Sequence, residues 1–150
     1  MDAQYSDRLL TTVERSLPNG DAHNDPLATL HQVYGAVVRG DFDQFATLVC
    51  DDAEMHIRGF APMNGSWRGR DEVVDATRRN FAMITEQKPV IDKIVSHADS
   101  VIVLLNETGV LNTNQPYSLR AIQWFTFEAG RLKRFDQVMA EAVHPAQPPA

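Results

Sequence analysis

From residue 90 onward the chain reads as four β-type segments joined by short turn-forming strings, and this leaves few folds open. The segments cover 90–97, 101–111, 117–128 and 131–142. Between them stand Ala98-Asp99-Ser100, Asn112-Thr113-Asn114-Gln115-Pro116 and Ala129-Gly130, strings rich in residues that turn readily. A parallel crossover needs roughly a dozen residues, so separators this short predict antiparallel neighbours and a meander.

Before Pro89 the apolar residues follow a different period. Leu27, Leu30, Tyr34, Val37 and Val38 recur at spacings that put one stripe on a helix, and Asp25-Pro26 is a good start for it. Gly40 ends that helix, and Asp41 caps a second one with Phe42, Phe45, Leu48 and Val49 on its buried side. Asp51-Asp52 reads as the turn from helix to strand, with the strand itself over 53–58. A turn-rich loop holding Trp67 covers 59–69, and a third helix covers 70–84 with Phe81 on its apolar side.

Helices first and a meander after predict an α+β fold, with three helices on one face of a curved sheet. They cannot cover that face fully, so a pocket is expected between the layers. Residues 1–25 read as an N-terminal extension with a short helix, 26–142 as the domain, and 143–150 as a flexible tail. A chain of 150 residues suits one such domain with a full core.

The net charge of −6 argues against nucleic acid, which wants a basic face. The longest apolar run, 101–105, is too short for a bilayer, so no membrane partner is expected. Cys50 is the single cysteine and the N-terminus carries no apolar leader, which together predict a cytoplasmic protein. His23, His31, His56, His97 and His144 lack metal-ligand spacing, and Gly65-x-x-x-Gly69 lacks the lysine of a phosphate loop. No metal or cofactor is expected.

Four strings, in order, carry a resemblance. They are Val38-Arg39-Gly40-Asp41-Phe42-Asp43, Cys50-Asp51-Asp52-Ala53-Glu54-Met55-His56, Gly65-Ser66-Trp67-Arg68-Gly69-Arg70-Asp71-Glu72-Val73, and Ile122-Gln123-Trp124-Phe125-Thr126-Phe127-Glu128-Ala129-Gly130-Arg131-Leu132. Over about residues 26–142 the chain resembles the nuclear transport factor 2-like superfamily, with its SnoaL-like and ketosteroid-isomerase-like members. The resemblance implies a cystatin-like, cone-shaped α+β barrel with a curved mixed or antiparallel sheet around a ligand pocket. It also implies proton-transfer chemistry of the isomerase, cyclase or dehydratase kind. The ketosteroid isomerase pattern of tyrosine, base aspartate and protonated aspartate falls on Val33, Ile57 and Gln123, so it is unmatched. The Arg-x-Asp of limonene epoxide hydrolase relatives falls near Ala121-Ile122-Gln123 and is also absent. Steroid isomerisation by the usual residues is therefore not expected.

Strand alternation sorts the candidate residues. Leu119, Ala121, Gln123, Phe125 and Phe127 share one face of their strand, while Arg120, Ile122, Trp124 and Thr126 share the other. The resemblance turns the first set toward the pocket, joined by Phe135, Gln137 and Met139 of the last strand. Ile122 and Trp124 then lie on the outer face, where large apolar groups suggest a homodimer interface. Gln123 and Gln137 either orient a ligand carbonyl or hydroxyl or bond one another. His56 titrates nearest neutrality; strict alternation turns it away from the pocket, and a one-residue slip turns it in. Glu107 and Asn106 have opposite parity, so one faces inward, and an inward Glu107 would be a base of raised pKa. Tyr34 either donates to an oxyanion or belongs to the core stripe, and Trp67 either stacks on a planar ligand or covers the helix ends.

The candidate catalytic residues are thus His56, Glu107, Gln123 and Tyr34. The candidate contacts for a small hydrophobic carbonyl or ring compound are Trp67, Phe81, Phe125, Phe135, Gln137 and Met139. A non-catalytic ligand-binding or dimerisation module is the alternative.

Overall fold

The structure, a computed structural model, describes residues 25–139 and the backbone of residues 144–145. Helix α1 (Pro26–Val38) starts where the Asp25 side chain accepts from the Leu27 N–H at 3.0 Å and Pro26 has no N–H to satisfy. It ends at Gly40, whose φ of 70° is left-handed, and the N–H groups of Gly40 and Asp41 return to the carbonyls of Val37 and Ala36. Asp41 caps α2 (Phe42–Thr47) by accepting from the Gln44 N–H at 3.0 Å.

Here the structure departs from the sequence reading. Leu48 closes α2, and Val49, fully buried, already belongs to strand β1 (Val49–Arg58). Asp51 and Asp52 therefore lie in a strand and not in a turn. A register shift between Val49 and Glu54 leaves both exposed. There Asp51 pairs with Arg70, and Asp52 pairs with Lys133 at 2.5 Å. The expected loop over 59–69 contains a 3-10 turn (Ala61–Met63) and a short strand β2 (Gly65–Arg68) antiparallel to β1.

Helix α3 (Arg70–Ala82) follows, then β3 (Ile84–His97), β4 (Ser100–Leu111), β5 (Pro116–Glu128), β6 (Arg131–Met139) and β7 (His144–Pro145). Strand β3 begins at Ile84 and runs through Pro89. It tolerates the proline because it is an edge strand, where a missing N–H breaks no ladder on the open side. Strand β7 pairs with Tyr117 and Ser118, so two residues expected in a free tail add to the sheet. The expected N-terminal helix lies in residues 1–24, outside the described residues, as do 140–143 and 146–150.

The sheet order is β2-β1-β6-β5-β4-β3. Strands β3 to β6 form the predicted meander, and β1 runs parallel to β6, which makes the sheet mixed. Register shifts in β1, β3 and the β5–β6 pair bend it. Leu30 and Val33 of α1, Phe45 of α2 and Val73 of α3 pack on Val49, Val101, Val103 and Phe125 of the inner face. This is the expected α+β layout of three helices on one side of a curved sheet. Among the described residues, no helix is long and apolar enough to cross a membrane.

Candidate active site

Between the helices and the inner face lies a cavity of about 200 Å³. Its wall is mostly apolar, with Val33, Met55, Leu105, Phe125 and Phe135 among its members. Phe81 joins from α3, its ring edge-on to Phe42 at 5.7 Å. Alternation decides which polar groups enter. On β4, Glu107 faces the cavity, while Asn106 faces out and donates to Asp92 at 2.8 Å. On β5, Gln123 and Phe125 face in, while Ile122 and Trp124 stand 41% and 50% exposed on the outer face. On β6, Phe135 and Gln137 face in.

Glu107 is the one ionised-type side chain in the described wall; no Lys, Arg or His accompanies it. It keeps some accessible surface because it fronts a hollow and not packed core. Gln87 Nε2 donates to one carboxyl oxygen at 2.6 Å, and the Tyr117 O–H donates to the other at 2.8 Å. Burial pushes the carboxyl pKa above its ordinary value, and the two hydrogen bonds pull it part of the way back. Tyr117 reaches across from β5 because its register partner on β4 is Gly109. A Cβ at Gly109 would stand 2.6 Å from the Tyr117 ring and 2.3 Å from the Glu86 carbonyl oxygen.

A second polar group is a chain of three side chains. The Tyr34 O–H donates to Gln123 Oε1, and Gln123 Nε2 donates to Gln137 Oε1 at 2.8 Å. Gln123 and Gln137 are register partners on β5 and β6, which brings their amides together. The Tyr34 ring packs edge-on against Phe125 at 5.6 Å, so it serves both the apolar stripe and the polar chain. Burial, and then the negative charge of Glu107, push the Tyr34 phenol well above its ordinary pKa, so it holds its proton.

Three candidates are not brought to the cavity. His56 alternates with Met55 and Ile57, which line it, and so points to the other face. There its Nδ1 meets Ser66 Oγ at 2.8 Å and its Nε2 meets Glu54 at 3.2 Å. Strict alternation holds; no slip occurs. Trp67 sits on β2 with its ring over Gly65, beside a surface hollow formed with Glu72, Asp75, Arg78 and Arg79 of α3. Met139 packs against Gly59, whose missing side chain makes room for it, and does not line the cavity. Two residues escaped the sequence reading. Tyr117, the first residue of the segment read as 117–128, shares the parity of Leu119 and Gln123, so the same alternation already pointed it inward. Gln87 shares the parity of Pro89 and Ile91, and extending the alternation back past the assumed strand start at 90 would have found it. Among the described residues, no group of three His, Cys, Asp or Glu side chains converges as metal ligands would.

If Gly109 is what lets Tyr117 reach Glu107, Gly109→Ala should lower stability by about 1–3 kcal/mol in urea denaturation, the usual range for an overpacked site. Unchanged stability would show that the close approach is not needed.

The sequence matches the model of the SnoaL-like domain over residues 30–135. None of the curated proteins matches it. Among solved structures it is similar to an NTF2-like protein of unknown function from Burkholderia pseudomallei, with 21% identity and a TM-score of 0.66, over 79% of this chain and 92% of that one. A protein of ketosteroid isomerase-like fold from Catenulispora acidiphila, in complex with trimethylamine, is 14% identical with a TM-score of 0.62, over 74% of this chain and 84% of that one. An LEH-like epoxide hydrolase of M. tuberculosis is 16% identical with a TM-score of 0.60, over 76% of this chain and 81% of that one. At such identities the likeness speaks for the fold, which hosts many chemistries. The domain match, by contrast, spans most of the sequence: the chain belongs to the SnoaL-like domain family.

Proposed function

We propose that the cavity is the active site of a small-molecule enzyme that works by proton transfer, of the isomerase, cyclase or dehydratase type. Glu107 is its base, and the substrate is a small hydrophobic carbonyl or ring compound. One observation carries the reading: the single carboxyl of the described, mostly apolar wall, held by two neutral donors and raised in pKa by burial. A carboxylate paired with a cation would be a weaker base; neutral partners orient this one without that penalty. In the chemical step the ionised carboxylate takes a proton from the carbon beside the carbonyl. The C–H electron pair becomes the C=C bond of an enolate while the carbonyl π pair moves to the oxygen, and the protonated Glu107 returns the proton at the same or a conjugated carbon as the C=O re-forms. Donors on the Tyr34–Gln123–Gln137 chain support the developing oxyanion. His56, on the opposite face of the sheet, has no part in this step.

Small ketones such as 1-indanone, incubated with the protein in D2O, should take up deuterium beside the carbonyl, as read by proton NMR. Glu107→Gln should slow this by about a hundredfold or more. Only the ionised carboxyl accepts a proton, so the rate should rise with pH through the raised Glu107 value and fall below it. No exchange above background, or an undiminished rate in Glu107→Gln, would overturn the reading.

We further propose a homodimer through the outer sheet face, with a cytoplasmic location in keeping with the single cysteine. Trp124 stands 50% exposed there, and Ile122 and Val138, paired in register, are 41% and 49% exposed. Analytical ultracentrifugation at micromolar protein should show a dimer, and Trp124→Glu a monomer. A monomeric wild type would contradict the interface.

A further inference from the structure

The polar chain on the cavity wall has a direction, and the direction singles out its last member. Tyr34 carries one proton to give, and it goes to Gln123 Oε1. That turns the Gln123 amide so that its Nε2 faces Gln137 Oε1, at 2.8 Å. Gln137 Nε2 is left at the end of the chain on a side chain that lines the cavity, with no hydrogen-bond partner among the described residues. It is not a sealed orphan, since no fully buried side-chain nitrogen or oxygen lacks a partner among those residues. Reversing the chain would force the Tyr34 O–H to find another acceptor. Glu107 is the acidic group that Tyr34 senses, and its two oxygens already accept from Gln87 and Tyr117.

We propose that Gln137, through Nε2, is the residue that meets the carbonyl oxygen of a ligand, with Tyr34 and Gln123 as positioning residues that aim and polarise it. Each amide whose oxygen already accepts a hydrogen bond becomes a better donor at its nitrogen, so the free N–H at the end is the strengthened one. The cavity therefore offers a donor at Gln137 and an acceptor at Glu107. That pairing suits a neutral ketone with an acidic C–H, and it gives a hydrocarbon of the same shape no advantage. The inference rests on the cavity being a ligand site, as proposed above, and narrows what that site takes.

The test compares 1-indanone with indane, the same skeleton without the carbonyl, by calorimetry, and follows the ketone C=O stretch by infrared difference spectroscopy. The wild type should bind the ketone about tenfold more tightly, the worth of one good hydrogen bond. Its carbonyl band should shift to lower frequency. Gln137→Met, which keeps the length of the side chain, should equalise the two ligands and abolish the shift. Gln137→Leu is the second variant should methionine disturb the wall. Tyr34→Phe should bind indane as before with a smaller band shift, an effect that simple packing by Tyr34 would not produce. A band shift that survives in the Gln137 variants, or one untouched by Tyr34→Phe, would overturn the assignment. Equal binding of ketone and hydrocarbon by the wild type would also overturn it, while leaving the role of Glu107 open to the deuterium experiment. Binding of neither compound would remove the ligand site itself.

Discussion

Period-two alternation across the β4–β5–β6 ladder is the constraint on which the site depends. The β4–β5 pairing runs from Ser100 opposite Thr126 to Val110 opposite Pro116 without a register shift. Along that stretch every inward residue is fixed by its neighbours. Val103, Gln123 and Gln137 form one cross-strand row, and Glu107 with Leu119 forms another further along. A slip of one residue would send Asn106 and Trp124 inward and take Glu107 and Gln123 out. The core forbids it, because Val101, Val103 and Leu105 on the same face are buried against the helices. The hydrophobic residues hold the register, and the register delivers the polar ones.

The electrostatic character of the site follows from what that geometry leaves out. Two carboxylates of this chain show opposite behaviour for reasons visible around each. Glu54, on the outer face, is held below its ordinary pKa by the His56 hydrogen bond first and then by Arg68 and Arg134. Glu107, on the inner face, has only neutral donors among the described residues, and burial raises it. Environments that push like groups apart are how one fold separates a structural ion pair from a group able to move protons. The Tyr34–Gln123–Gln137 chain complements Glu107 by staying neutral, since none of its members ionises readily inside the wall.

Much of this was legible in the residues. Asp25-Pro26, Asp41 and Gly40 mark helix ends through side-chain and backbone chemistry that needs no tertiary context, and the structure uses each as read. The turn strings between strands placed the meander, and alternation placed Gln123, Phe125, Phe135 and Gln137 on the inner face. Misreadings have local causes. Val49 follows Phe45 at helical spacing, so a strand start looked like one more turn of α2. Pro89 looked like a strand boundary because its tolerance depends on β3 being an edge, a fact about the whole sheet. That hid Gln87, and with it half of the cradle around Glu107. The side taken by His56 and Glu107 could be settled only by strand pairing, which links residues far apart in sequence.

The raised pKa of Glu107 is open to direct measurement by carbon-detected NMR titration of a protein labelled at its glutamate carboxyl carbons, with Glu107→Gln assigning the resonance. The Glu107 signal should titrate above the ordinary glutamate range, and that of Glu54 below it. A Glu107 carboxyl that titrates at or below the value of a solvated glutamate would mean that water or a cation reaches it, and no poised base would remain in the cavity.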